Sequence, residues 1–193
     1  MTRLLQLAAL AVTTLLLPIN GAYAVDYTPQ LTALAQGKIK AFAESPLVVA
    51  AIEAQNAKTA AYDQAKIDAM DGQWKAEVSA ADKPLIAATM GNAASKYLVT
   101  IQDGSQGLFT EIFATDNKGL NAAQSSVTSD YWQGDEDKFS KTFPVGPDAV
   151  FLGKVDQDES TQQFQQQVSI TVTDPATKAS IGSITVGVNL SQL

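Results

Sequence analysis

The stretch QVSITVTDPATKASIGSITVGVNL, Gln167 to Leu190, has the pattern of a β-hairpin. Two runs rich in β-branched residues flank Asp174-Pro175-Ala176-Thr177-Lys178, a sequence typical of a turn. In the second run, Ile181 to Leu190, apolar residues occupy both odd and even positions. That pattern predicts a central strand covered on both faces. The stretch therefore predicts the closing hairpin of an antiparallel sheet.

Upstream of this hairpin, the chain from Gly104 onward predicts three more strands, and the first arm of the hairpin extends back to Gln163. The three strands are Leu108–Thr115, Leu120–Ser126 and Ala149–Asp156. Asp116-Asn117-Lys118-Gly119 predicts a tight turn between the first two, in which Gly119 suits a positive φ. Between the second and third lies a polar, aromatic-bearing insert, residues 129–143, with a short helix expected around Glu136 to Lys141.

Residues 25–103 read mainly as helices, because alanine is abundant and apolar residues recur at helical spacing. Thr28-Pro29 predicts the first helix start, with Thr28 as the cap. Tyr62, Ile67, Met70 and Trp74 form a stripe that we interpret as core packing. The fold class predicted is α+β: five antiparallel strands, mainly in residues 104–193, backed by N-terminal helices.

The first 24 residues have the layout of a secretory signal peptide. Arg3 precedes an apolar run, Leu4 to Leu17, and Ala22-Tyr23-Ala24 matches a cleavage site. The alternative is an uncleaved membrane anchor, but fourteen helical residues rise only about 21 Å against a hydrocarbon core of roughly 30 Å. We therefore expect cleavage near Ala24 and one periplasmic or secreted domain, residues 25–193.

Composition removes several classes of site. The chain has no Cys and no His, which excludes disulfides, Cys/His zinc sites, Cys nucleophiles and His-based catalysis. Its formal net charge is −7, which argues against nucleic acid or anionic membranes as partners. Arg3 is the only arginine, so the expected mature chain cannot clamp a carboxylate with a guanidinium.

A longer stretch, EIFATDNKGLNAAQSSVTSDYWQGDEDKFSKTF, Glu111 to Phe143, resembles the centre of extracellular Cache domains, also called PDC or PAS-like sensor domains. Its most specific part is DYWQGDE, Asp130 to Glu136. The closing stretch, Gln167 to Leu190, resembles the last hairpin of that family, and Ala51 to Trp74 resembles its long helical region. The resemblance thus covers most of the expected mature chain, and it is closest in kind to stand-alone, secreted single-Cache proteins.

This resemblance implies a five-stranded antiparallel PAS-like sheet backed by long N-terminal helices, with a ligand pocket between the sheet and the insert. It also implies a periplasmic module that binds a small molecule. Such a module would act with a separate membrane protein: a sensor kinase, a chemoreceptor or a cyclic-dinucleotide enzyme. No cofactor or metal is implied, and the oligomeric state stays open.

Four residues of the insert are candidates for ligand binding. Tyr131 and Trp132 could enclose a small ligand, or could simply anchor the insert. Asp135 could bind a cationic group or a metal, or could belong to a helix N-terminus. Lys138, or alternatively Lys141, could supply a point charge where related domains that bind amino acids use Arg. Asp156, Asp158 and Glu159 resemble half of a calcium loop but fit a solvated hairpin better.

Three functions remain possible on these observations. The first is sensing through a bound small molecule. The second is a structural or interaction protein whose pocket is not functional. The third is a carboxylate-based enzyme, but no pair of acids has a spacing that identifies a mechanism, so we expect no catalysis.

Overall fold

The computed structural model describes residues 25–157 and 163–193. The expected signal peptide and two of the candidate calcium ligands, Asp158 and Glu159, lie outside the described residues. Helices come first along the chain. They are α1 (Thr28–Leu34), a π-helical turn (Ala35–Ile39), α2 (Lys40–Ala43), α3 (Pro46–Thr59), α4 (Gln64–Ser79), α5 (Pro84–Gly91) and α6 (Ala93–Asp103).

The strands follow, and they form one antiparallel sheet in the order β2-β1-β5-β4-β3. They are β1 (Phe109–Thr115), β2 (Asn121–Gln124), β3 (Val150–Gln157), β4 (Phe164–Thr173) and β5 (Ser180–Asn189), with the short helix α7 (Asp137–Ser140) between β2 and β3. The predicted α+β class with five antiparallel strands is confirmed.

Side-chain caps begin three of the helices. Ser45, Asp63 and Asn92 each accept a hydrogen bond from the backbone N–H three residues later. The predicted cap at Thr28 is wrong: α1 already includes Thr28, and its N–H donates to Asp26 Oδ1 at 2.9 Å. The carboxylate of Asp26 satisfies that N–H, so Thr28 is free to adopt helical geometry.

One face of the sheet is apolar and forms the main core with the helices. Its central row is Ile112, Val186 and Val168, which lie side by side on β1, β5 and β4. Side chains from the helices cover this face, among them Leu31, Ile39, Phe42, Ile52 and Leu98. Each fully buried Val, Leu or Ile contributes roughly 1.5–3 kcal/mol. This face holds the sheet against the helical half.

A second apolar cluster joins α4 and α5 to the start of the insert. Trp74 is fully buried there and stacks on Tyr131 with ring centroids 5.2 Å apart. The predicted core role of the stripe is therefore confirmed: Ile67 is buried, and Met70 and Tyr62, which precedes α4, are partly buried in the same cluster.

The turn after β1 is built around a buried carboxylate. Gly119 adopts the predicted positive φ, +83°. Asp116 Oδ1 accepts hydrogen bonds from the N–H groups of Lys118 and Leu120, both at 2.9 Å, and Oδ2 accepts from Thr59 Oγ1 at 2.7 Å. The turn is thus tied to the end of α3.

Burial raises the pKa of Asp116 above its ordinary value of 3.8, although these hydrogen bonds oppose the shift. The ionised side chain therefore disfavours the folded state, and this effect vanishes below the ordinary pKa. We expect the free energy of unfolding of the wild type, relative to Asp116→Asn, to fall as pH rises from about 4 towards neutral. Urea unfolding at a series of pH values measures this, and a difference that stays constant or grows with pH would contradict it.

Candidate functional site

The sheet face opposite the helices is buried but polar. Asn121, Thr115, Ser183 and Thr171 lie directly opposite one another on β2, β1, β5 and β4. Directly opposed residues share one face, so the four form a continuous row across the sheet. None is more than 5% exposed. We call this surface, with the two rows described next, the polar face.

Two further rows continue the polar face towards the free end of the hairpin. The middle row is Phe113, Thr185, Ser169 and Phe151, and the last is Glu111, Gly187 and Gln167. The side chains bond mainly to one another: Thr115 Oγ1 to Ser183 Oγ at 2.8 Å, Ser169 Oγ to Thr185 Oγ1 at 2.9 Å, and Gln167 Nε2 to Glu111 Oε1 at 2.9 Å.

Two buried atoms at the ends of the first row have no hydrogen-bond partner among the described residues. They are Asn121 Oδ1 and Thr171 Oγ1. A buried polar atom left unsatisfied costs roughly 1–3 kcal/mol, so such atoms are rare in native proteins. Their position on the polar face is one reason to look there for a binding site.

The insert covers the polar face through α7. Lys138 Nζ lies 5.3 Å from the ring centroid of Phe113, and Lys141 Nζ lies 5.1 Å from that of Phe151. Phe139 is buried and stacks on Phe143 with centroids 5.6 Å apart. The short helix thus forms at the predicted place and packs over β1 and β3.

Beside α7, a cleft of about 480 Å³ opens between the insert and the β3–β4 hairpin. Its lining is mostly charged or amide-bearing: Glu136, Lys138, Gly153, Lys154, Val155, Asp156, Gln165 and Gln167. Gln167 also belongs to the polar face, so the cleft is continuous with it. In the described ranges, 25–157 and 163–193, no three acidic side chains are grouped to hold a metal ion.

Lys138 is the predicted site residue that lines this cleft. Its Nζ lies 2.9 Å from Glu136 Oε2 and donates to Gln133 Oε1 at 3.2 Å. Asp135 is exposed and is not part of the cleft lining. A ligand contact from Asp135 stays a prediction.

Tyr131 and Trp132 point away from the cleft, towards the helices and the β1–β2 turn. Tyr131 is 2% exposed, its hydroxyl accepts from Gln55 Nε2 at 2.7 Å, and burial raises its pKa to about 12. Trp132 Nε1 donates to the carbonyl of Lys118 at 2.8 Å. These contacts fit the alternative that the two rings anchor the insert, and their contact with a ligand stays a prediction.

The same part of the insert is tied to α4 by charge. Asp71 Oδ1 accepts from the N–H groups of Tyr131 and Trp132, at 2.9 and 3.1 Å. Lys75 Nζ bridges Asp71 and Asp130 at 2.7 and 2.9 Å. Burial alone would raise the pKa of Asp130, but the contacts with Lys75 and Ser129 outweigh it and lower that pKa. The insert therefore joins the cleft at one end to α4 at the other.

Two residues that line the cleft, Gln165 and Gln167, were not among the residues predicted to bind a ligand, although the sequence of β4 indicates them. Gln165, Gln167, Ser169 and Thr171 occupy every second position along β4, and from Val168 onward the positions between them are apolar. Alternation predicts one polar face, and solvent is the ordinary environment for such a face. Only the position of the insert turns this face into the floor of a cleft.

Two glycines in β5, Gly182 and Gly187, have packing roles. A Cβ on Gly182 would lie 3.0 Å from Ile52 Cγ2, on the helix side of the sheet. A Cβ on Gly187 would lie 3.0 Å from Glu111 Cγ and 3.3 Å from Gln165 Oε1, on the polar face. Gly187 therefore leaves room for the side chains that floor the cleft.

No family model matches this sequence, and no curated protein matches it. None of the described helices has the length and apolar character needed to cross a bilayer. Several solved structures are similar to this chain, which spans little more than half the length of those described next.

The sensor domain of the Vibrio cholerae histidine kinase DctB is 15% identical, and the match covers 86% of this chain and 58% of that one, with a TM-score of 0.47. The isoleucine-bound sensory domain of the Campylobacter jejuni chemoreceptor Tlp3 is 12% identical, with coverage of 83% and 57% and a TM-score of 0.37. A domain of a sensory box/GGDEF family protein from Vibrio parahaemolyticus is 6% identical, with coverage of 85% and 55% and a TM-score of 0.49. The five-stranded antiparallel sheet with its N-terminal helices is an α+β fold.

Proposed function

We propose that this protein is a periplasmic sensor module that binds a small polar molecule in the cleft beside α7, without catalysis. The observation that carries the proposal is the polar face. A covered sheet face that serves only as core is normally apolar, as the opposite face is here. The covered face instead carries hydroxyl and amide groups beside Phe113 and Phe151, and the amide groups continue into the cleft.

A bound polar molecule would also relieve a cost that the polar face carries. Asn121 Oδ1 can only accept, and Thr171 Oγ1 can donate or accept. A rearrangement of the insert on binding that brought polar groups to these atoms would favour the bound state.

The contacts of the insert supply a route for the signal. A ligand that shifts α7 would also strain the bonds from Tyr131 and Trp132 to Asp71 on α4. In this proposal α4 then shifts, and a separate membrane protein recognises the altered surface. The sequence resemblance suggests that this partner is a sensor kinase, a chemoreceptor or a cyclic-dinucleotide enzyme. Cleavage near Ala24 would place the module in the periplasm.

A blocked-cleft variant tests the proposal. Gly153 lines the cleft, and a Cβ there meets Gln167 Cβ at an ordinary contact distance of 3.4 Å. We expect some compound in a thermal-shift screen of organic acids, amines, purines and polyols to raise the Tm of the wild type in a saturable way. Gly153→Phe should abolish that shift because its ring occupies the cleft.

Two results would contradict this function. One is that no compound shifts the Tm, and the other is that Gly153→Phe still shows a saturable shift. The variant without ligand should melt within a few degrees of the wild type, which circular dichroism checks. If it does not fold, Gly153→Leu offers a smaller blocking group at the same place.

A second candidate function, protein interaction, has one specific observation in its favour. An apolar groove of about 690 Å³ lies where β3 and β4 approach both ends of the described chain. Val25, Tyr27, Val155, Phe164 and Leu190 line it, and Phe164 is 57% exposed. Exposed apolar surface of this kind is typical of a docking site. Failure of the ligand screen would favour this function over sensing.

A further inference from the structure

We infer that the ligand of the cleft is an uncharged, polyhydroxylated molecule, a linear polyol or a monosaccharide. The inference rests on the proposed binding function and names the chemical class that the cleft would take. It follows from how the charges and the amides around the cleft are partnered.

The charges that line the cleft are balanced in sign, and two of them form an ion pair. Lys138 is held by Glu136 at 2.9 Å and by the amide of Gln133. Lys154 and Asp156 add one charge of each sign and are both exposed. The lining thus has two positive and two negative groups.

A carboxylate ligand that binds Lys138, the less exposed of the two lysines in the cleft, would have to displace Glu136. Glu136 would then lie unpaired beside a second anion, and the two like charges would repel each other. An ammonium ligand meets the converse difficulty, because binding to Glu136 would release Lys138. Glu111, whose Oε1 accepts from Gln167, makes the surroundings slightly acidic and disfavours an anion further.

The amide groups, in contrast, are partnered in a way that hydroxyls can replace. Thr110 Oγ1 donates to Gln165 Oε1 at 2.6 Å, and Gln167 Nε2 donates to Glu111 Oε1 at 2.9 Å. A ligand hydroxyl both donates and accepts, so it can insert into either pair and satisfy both partners. No charge is left uncompensated by that exchange.

Further hydroxyl pairs lie next to these amides on the polar face. Ser169 and Thr185 bond to each other one row deeper, and Thr115 and Ser183 do so in the row beyond. A molecule carrying several hydroxyls could repeat the same exchange along the face. The cleft volume of about 480 Å³ falls within the roughly 300–1,000 Å³ that is usual for small-molecule sites.

A matched ligand panel tests the class. The purified protein is titrated with ribitol, sorbitol, glucose and galactose, and in parallel with succinate and putrescine at the same ionic strength. At a hundredfold excess over its Kd, a binding polyol or sugar should raise the Tm by roughly 5–10 °C. Gln167→Leu replaces one of these amides with an apolar side chain of similar size. It should raise the Kd of that compound roughly tenfold.

Polyols also stabilise proteins non-specifically, because they are excluded from the protein surface. Gly153→Phe is the control for this effect: its cleft is blocked, so only the non-specific rise in Tm remains. A polyol shift of equal size in Gly153→Phe and wild type overturns the inference. A saturable shift with succinate or putrescine alone, abolished by Gly153→Phe, overturns the ligand class and leaves the binding function standing. No shift with any compound overturns both.

Discussion

Trp74→Ala will lower the free energy of unfolding by roughly 3–5 kcal/mol. Trp74 is fully buried, and it stacks on Tyr131 at 5.2 Å. Its Nε1 donates to the carbonyl of Thr128 at 2.8 Å. The substitution therefore opens a large cavity, removes an aromatic pair and leaves that carbonyl without its partner. Urea or thermal unfolding measures the loss.

Two further variants of α4 separate these contributions. Trp74→Phe keeps a ring against Tyr131 but loses the hydrogen bond, so we expect a smaller loss of roughly 1–3 kcal/mol. Val78→Ala, on the same helix but 43% exposed, should change stability by only about 0.5 kcal/mol. A Trp74→Ala loss no larger than that of Val78→Ala would show that the insert is not anchored through this ring.

Gly134→Ala has the second large expected effect, a loss of roughly 1–3 kcal/mol from overpacking. A Cβ on Gly134 would lie 2.7 Å from Trp132 Cε2 and 2.9 Å from the carbonyl oxygen of Lys118. Those two groups are joined by the indole hydrogen bond, so neither can move without breaking it. Gly134 also packs directly against Gly119 in the β1–β2 turn, where a Cβ on Gly119 would lie 2.6 Å from Gly134 Cα.

Gly72→Ala is the matched control, and its effect should have the opposite sign. Gly72 is exposed in the middle of α4, and nothing lies within 4 Å of a Cβ built there. Alanine favours the helix by roughly 0.5–1 kcal/mol over glycine, so this variant should be stabilised. If both variants are neutral or stabilised, the tight contact between Gly134 and the β1–β2 turn is not a constraint on the fold.

Trp74 on α4 packs against the first part of the insert, and Gly134 lies in that part, which is structural. Lys138 and Glu136, in the second part of the insert, line the cleft. The distinction has a practical consequence. Variants at Trp74 or Gly134 test the anchor through stability, and only variants on the cleft side, such as Gln167→Leu, test ligand binding without moving the anchor.

The strands and turns followed from local chemistry in the sequence. Alternating β-branched residues predicted β4 and β5, and the turn residues Asp174-Pro175-Ala176-Thr177-Lys178 separated them. The positive φ of Gly119 followed from the turn sequence as well. Such features depend on residues close in the chain, so a sequence pattern is enough to predict them.

The orientation of side chains in the insert depended instead on distant residues. Tyr131 and Trp132 carry the aromatic groups that suit a ligand lid, yet they pack towards α4 because Asp71 and Trp74 hold them there. Those partners lie about sixty residues earlier, and no local pattern links them. Lys138, which lies further along the insert on α7, by contrast faces the cleft.

The amino-acid order by itself determined the α+β class, the position of the insert between β2 and β3 and the exclusion of Cys- and His-based chemistry. Only the tertiary structure decided that the alternating polar residues of β4 face a covered cleft and not bulk water. The reason is that alternation specifies which side chains share a face, while the element that covers that face is chosen by long-range packing.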